Sequence, residues 1–182
     1  FMGKAKAIRE VRFADWVALR RGPTPAFLTI VRVTYHEGEP DSYLVPLALV
    51  TGDQAAEPAA ASVLTRITGA RKGAIVDGLL DDDVCSRVLD LATAGAVLDG
   101  RRGSLRGSVV TPLALPEERR WSRTSTDQSN SILFLNDQQV LKLFRRLERG
   151  PSPEFEVGAA LARASFTRTP ALRAAIQYEE AG

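Results

Sequence analysis

The chain has 182 residues, 45% of them apolar and 25% charged, enough to bury a core as one compact domain or two small ones packed together. Its 24 basic and 22 acidic residues leave a formal net charge of +2, which gives no broad electrostatic reason to expect nucleic acid or anionic lipid as a partner. A single cysteine, Cys85, excludes an internal disulfide framework, and with the single His36 it leaves too few soft ligands for an ordinary zinc site. No apolar run approaches the ~20 residues needed to cross a bilayer, and no leader pattern opens the sequence, so the expectation is a cytoplasmic protein with no membrane partner.

In chain order, "DWVALR" is short and amphipathic, and "RRGPTP" after it is a loop whose two prolines bar helix continuation. Residues 27–35 alternate so that Phe27, Thr29, Val31, Val33 and Tyr35 share a face, and 43–50 place Tyr43, Val45, Leu47 and Leu49 likewise. The polar loop "HEGEPD" between them makes an antiparallel hairpin, with His36 in an exposed turn and Pro46 suggesting an edge or a bulge. The segment 52–61 is small and polar and reads as a surface connection; two short strands, "SVLTRI" and "GAIVDGLL", follow it. Three aspartates, then Val84, Val88, Leu89 and Leu91 near helical spacing, then Gly95, predict a helix at about 82–94. "LDGRRGSLRG" suits a subdomain boundary, followed by a strand "SVVTPLAL".

"SILFL" and "QQVLKLF" are separated by Asn136 and Asp137, which tolerate the positive φ of a two-residue type I′ turn. Closing that hairpin at residues 135 and 138 sets 133 opposite 140 and Ser131 opposite Lys142. Ser152 then caps a helix with Pro153 at its first position, and Glu154 and Glu156 lie in the first turn, able to reach back to a neighbouring strand. A strand lysine preceded by a polar hairpin loop and followed by a glutamate-bearing helix is how kinases hold nucleotide phosphates. The bland reading of the same residues is an edge lysine, an ordinary turn and glutamates answering the helix dipole. "GARKGA" lacks Walker spacing, and Arg145, Arg146 and Arg149 of "RRLER" read as a solvated basic face. Trp16 and Trp121 are expected to pack rather than stack on a ligand, and Lys4 and Lys6 to be exposed charges.

"DQSNS" followed by "VLKLFRRLERGPSPEFEVGAAL" resembles the maltokinase family, with its Q-S-N-[ST] loop, L-K-L-F-R-R-L strand exit and P-[ED]-x-E-[IV]-G helix start. "FMGKAKAI" and "GEPDSYLVPLAL" are similar to that family's N-terminal signature and Y-L-[VIL]-P-L hairpin, so the resemblance runs through nearly the whole chain. Ile132 stands where the family often has a second hydroxyl residue, and Asn136 where it often has glycine.

The resemblance implies an α+β fold: a cap subdomain over residues 1–97, a curved antiparallel sheet with a helix, then an intermediate subdomain over 98–182, a kinase N-lobe-like antiparallel sheet with one helix. It implies that Gln128, Ser129, Asn130 and Ser131 form the phosphate-covering loop, that Lys142 is the ATP lysine, and that Glu156 is its partner, with Glu154 the competing choice. It also implies that the chain is the N-terminal part of an ATP- and Mg²⁺-dependent maltose kinase in α-glucan metabolism, often fused to trehalose synthase. The base and magnesium ligands would then belong to a C-terminal lobe, because after Lys142 the sequence has no aspartate and no histidine. A relative acting on another sugar such as glucosamine, or a stand-alone module docking trehalose synthase or a glucan enzyme, would read alike.

Overall fold

A computed structural model describes residues 6–52, 63–69, 72–124 and 130–181. The fold is α+β, as expected: antiparallel sheets with two α-helices among the described residues. Strands β1 (Ile8–Arg20), β2 (Ala26–Tyr35), β3 (Asp41–Thr51), β4 (Val63–Ile67) and β5 (Gly73–Asp77) form a first sheet in the order β1-β2-β3-β5-β4. A 3-10 turn, Gly78–Leu80, leads into α1 (Asp82–Thr93). The hairpin of β6 (Val97–Asp99) and β7 (Gly103–Val109) follows, then β8 (Trp121–Arg123), β9 (Asn130–Leu135), β10 (Gln139–Phe144) and β11 (Arg146–Leu147). The last elements are α2 (Pro153–Arg163) and β12 (Ala174–Glu180). β12 pairs with β7, β8 to β10 form a third sheet, and β11 returns to pair with β3.

Helix α1 joins two cores. It starts where the Asp81 carboxylate accepts from the N–H groups of Asp83 and Val84, with Asp82 and Asp83 in its first turn, and it stops before Gly95 at φ 60°. Val84, Val88 and Leu91, spaced four and three apart, pack with Val17, Leu19, Ala26, Leu28, Ala48, Ala74, Val76 and Leu105. One residue round the helix, Cys85 and Leu89 meet Leu79 of the 3-10 turn and Trp121, Leu133, Leu135 and Leu143 on the inner face of the third sheet. Residues on both sides of position 97 thus contribute to one core, and the pairing of β11 with β3 also crosses that position.

Several expectations change. "DWVALR" is the C-terminal half of a 13-residue strand, because pairing with β2 outweighs the local pattern. Pro46 lies inside the sheet: β2 flanks β3 on one side, while β11 and β5 flank the other. Leu44 donates its N–H to the Arg145 carbonyl at 2.7 Å, so position 46 points its backbone nitrogen the same way, into the gap between β11 and β5. A missing N–H costs no ladder bond there. "GRRG" is a hairpin turn, and the strand after it is Gly103–Val109, earlier than the segment expected. Residues 53–61 of the expected surface connection lie outside the described residues.

Asp15 fastens this assembly. Fully buried, its carboxylate accepts from the N–H groups of Trp16 (2.8 Å), Arg101 (2.7 Å) and Arg102 (3.1 Å) and from the Tyr178 hydroxyl (2.9 Å). Burial alone would raise its pKa, yet these bonds together hold it below the ordinary value. Among the described residues, no helix is long and apolar enough to cross a membrane.

Candidate functional site

The third sheet carries the candidate site. Asn136 and Asp137 take φ 50° and 55°, as the type I′ turn requires, and Gln138 donates its N–H to the Leu135 carbonyl. The loop nevertheless holds three residues, because Gln139 and not Gln138 pairs with Leu135. That extra residue shifts the expected register by one: Lys142 lies opposite Ile132, and Leu143 opposite Ser131. A shift of one exchanges faces. Lys142 therefore shares the outer face with Asn130, Ile132, Phe134, Val140 and Phe144, while Ser131 sits on the inner face with Leu133 and Leu143.

The shift has a packing reason. Leu133, Leu135 and Leu143 are buried against α1, whereas Val140 is 60% exposed. The expected register would have set the inward Leu133 opposite the outward Val140.

The lysine's partner is Glu154. Its Oε2 accepts from Lys142 Nζ at 2.5 Å, and the ammonium also lies 4.8 Å from the centre of the Phe144 ring. Glu156, the first choice from the sequence, is exposed and has no side-chain partner among the described residues. Helix α2 begins at Pro153 with Ser152 in the N-cap position; no side-chain cap bond forms, so the backbone entry and the proline set the start. Glu154 is the residue of that turn that faces β10.

The polar loop divides between two faces. Asn130 lies opposite Phe144 on the lysine's side, while Ser131 Oγ accepts from Arg145 Nε at 2.9 Å. Arg145 also donates to Asp77 at 2.6 Å and so ties the end of β10 to β5. Asn130, Ser131, Arg145 and Asp77, with Tyr43, Leu80 and Arg123, line an open cleft of about 510 Å³ between the first and third sheets. Gln128 and Ser129 lie outside the described residues.

The basic cluster is only partly a solvated face. Arg145 is largely buried beside Asp77, and Arg146 grips Asp41 through Nε and Nη2 at 3.1 and 2.9 Å. Burial would raise the Asp41 pKa, but the Tyr35 hydroxyl and Arg146 lower it overall. The signal missed in the sequence was acidic, at Asp41 and Asp77, far from the arginines along the chain. Arg123 likewise holds the Leu79 carbonyl at 2.6 Å and Asp82 at 2.5 Å.

Other singled-out residues pack or lie exposed. Trp121 is buried and donates Nε1–H to Ser86 Oγ at 3.0 Å, while Trp16 is 40% exposed beneath the Arg101 guanidinium. Lys6 lies over the Tyr35 ring, His36 is exposed, and Lys4 is outside the described residues. Cys85 is a free buried thiol whose pKa burial pushes up to about 11, so it is protonated at neutral pH.

Chemically, the outer face offers a cation held by a carboxylate beside the apolar surface of Ile132, Phe134 and Val140. This set fits an anionic phosphate next to a planar ring. The described residues include no group of three or more His, Cys, Asp or Glu that could hold a metal ion, so they offer no ready-made metal cage of their own. The sequence matches no family model.

Proposed function

We propose that this chain forms the nucleotide-phosphate half of an ATP-dependent sugar kinase of the maltokinase type, working in the cytoplasm. The observation that carries this reading is the Lys142–Glu154 pair, joining β10, the second strand of the hairpin that follows Gln128 and Ser129, to the helix behind it. In phosphoryl transfer most of the protein's work is positioning and charge stabilisation. An ammonium fixed by a carboxylate provides both, since the glutamate selects the lysine rotamer and leaves donors for phosphate oxygens.

In this reading Asn130 and its loop cover the phosphates, and Phe134 and Val140 provide the bed for the base. Ser131 is a positioning residue, tied to Arg145 behind the sheet. The general base, the magnesium ligands and the sugar site belong to a catalytic lobe joined to this one, and maltose as acceptor rests on the resemblance of the sequence motifs. ATP is the ligand to test directly.

Titration with millimolar ATP, followed by amide chemical shifts, should give saturable changes along β9, β10 and the start of α2. Lys142→Ala should weaken this binding at least about tenfold, about 1.4 kcal/mol, while leaving the melting temperature nearly unchanged. Glu154→Gln should weaken it more than Glu156→Gln. Equal affinity in Lys142→Ala and the native chain would overturn the assignment.

A further inference from the structure

The first sheet ends in a free strand edge that carries an unusual load. Ile8, Val11, Phe13 and Trp16 of β1 are 57%, 58%, 60% and 40% exposed. Their spacing is irregular, yet they pair with Tyr35, Val33, Val31 and Thr29, which alternate along one face of β2. Register shifts between Ile8 and Glu10, and between Phe13 and Asp15, keep all four apolar side chains on that face. Strand β1 is the edge of its sheet, so the backbone groups on its outer side have no strand partner among the described residues.

The charges along this edge are self-complementary. Glu10 and Arg12 flank Val11 and are exposed, and neither has an ion-pair partner among the described residues. Arg12 also lies directly opposite Arg32 of β2, a like-charge pair that is unfavourable as it stands. An antiparallel copy of β1 placed by a two-fold axis at Val11 sets Val11 against its own counterpart, Glu10 against the second Arg12, and Arg12 against the second Glu10. The incoming carboxylate would also answer the Arg12 and Arg32 charges. Edge strands that guard against association usually present like charges to a copy of themselves; the Glu-x-Arg order here does the reverse.

We propose that β1 is a homodimer interface, in which two copies join edge to edge into one continuous antiparallel sheet, with the two Val11 side chains meeting on the two-fold axis and Phe13 of each copy packing across from the stem of Arg9 of the other. The proposal stands on β1 alone and is independent of the nucleotide reading.

Sedimentation equilibrium over a wide concentration range tests it, with circular dichroism confirming that each variant is folded. The native chain should approach twice its 19.7 kDa mass as concentration rises. Glu10→Arg and Arg12→Glu should each raise the dimer dissociation constant by about tenfold or more, because each sets two like-charge pairs across the axis. The double variant Glu10→Arg/Arg12→Glu should restore dimerisation, since the swap rebuilds both opposite pairs. A native chain that stays monomeric at the highest concentration would overturn the proposal and leave the edge to a different protein's strand. Single reversals that leave the dimer intact, or a double swap that fails to restore it, would overturn this register.

Discussion

At Asn136 the backbone sits at φ 50°, while the side chain accepts from Arg120 N–H at 2.8 Å and donates to the Glu118 carbonyl at 2.9 Å. The residue therefore shapes the β9–β10 turn and tethers the segment leading into β8. Glycine would take the positive φ with ease but would lose both bonds. Asn136→Gly is expected to destabilise by about 1 kcal/mol, and Asn136→Ala by about 2 kcal/mol because alanine adds backbone strain to the same loss. Urea denaturation of the two variants checks the order; a glycine variant as stable as the native chain would show that the tether contributes nothing. The turn itself was legible from Asn136 and Asp137, whereas the tether was not, because its partners lie 16 and 18 residues upstream in irregular chain.

Among the elements, α1 was the most readable, since its cap, its first-turn aspartates and its apolar spacing all agree. The β2–β3 hairpin was readable for the same reason. Strand β1 was not, because its three register shifts, near Arg9, Ala14 and Leu19, break the alternation that marks a strand. The β9–β10 register failed over one loop residue, which reversed the faces of Ser131 and Lys142. The choice between Glu154 and Glu156 depended on the path from β11 to α2, and local spacing does not encode that path. One close contact between elements can be tested directly. A Cβ on Gly107 would lie 2.0 Å from the Leu91 carbonyl oxygen, at the crossing of β7 and α1. Gly107→Ala should cost about 3 kcal/mol or more, because backbone on both sides has to move. A melting temperature unchanged by that methyl group would show that the crossing is looser than described.

Across the molecule, three carboxylates with lowered pKa values hold the seams. Asp15 joins β1 to the β6–β7 turn and β12, and Asp41 joins β3 to Arg146 of β11. Asp83 takes Arg87 within α1 and Arg20 of β1, and the Arg87 bond is the larger cause of its lowered value. A carboxyl whose folded pKa lies below its unfolded value contributes stability that is complete above the unfolded value, 3.8 for aspartate, and is lost as pH falls through the folded one. Stability to urea should therefore carry the full contribution of these three carboxylates near neutrality and fall steadily below about pH 4. Asp15→Asn should be less stable at neutral pH and show a shallower acid decline than the native chain. An equally steep decline in that variant would remove Asp15 from the account.

The Asp15 clasp also sets an order of events during synthesis. Its carboxylate meets Tyr178, which lies 163 residues further along, and β12 cannot pair with β7 until that stretch has left the ribosome. A nascent chain halted before β12 would hold a buried acid with only part of its bonding and a β7 edge still open. Contacts between such distant positions make closure late and slow. Until then, the first sheet and α1 wait as an unfinished shell, and β12 is the strand that locks β1 in place.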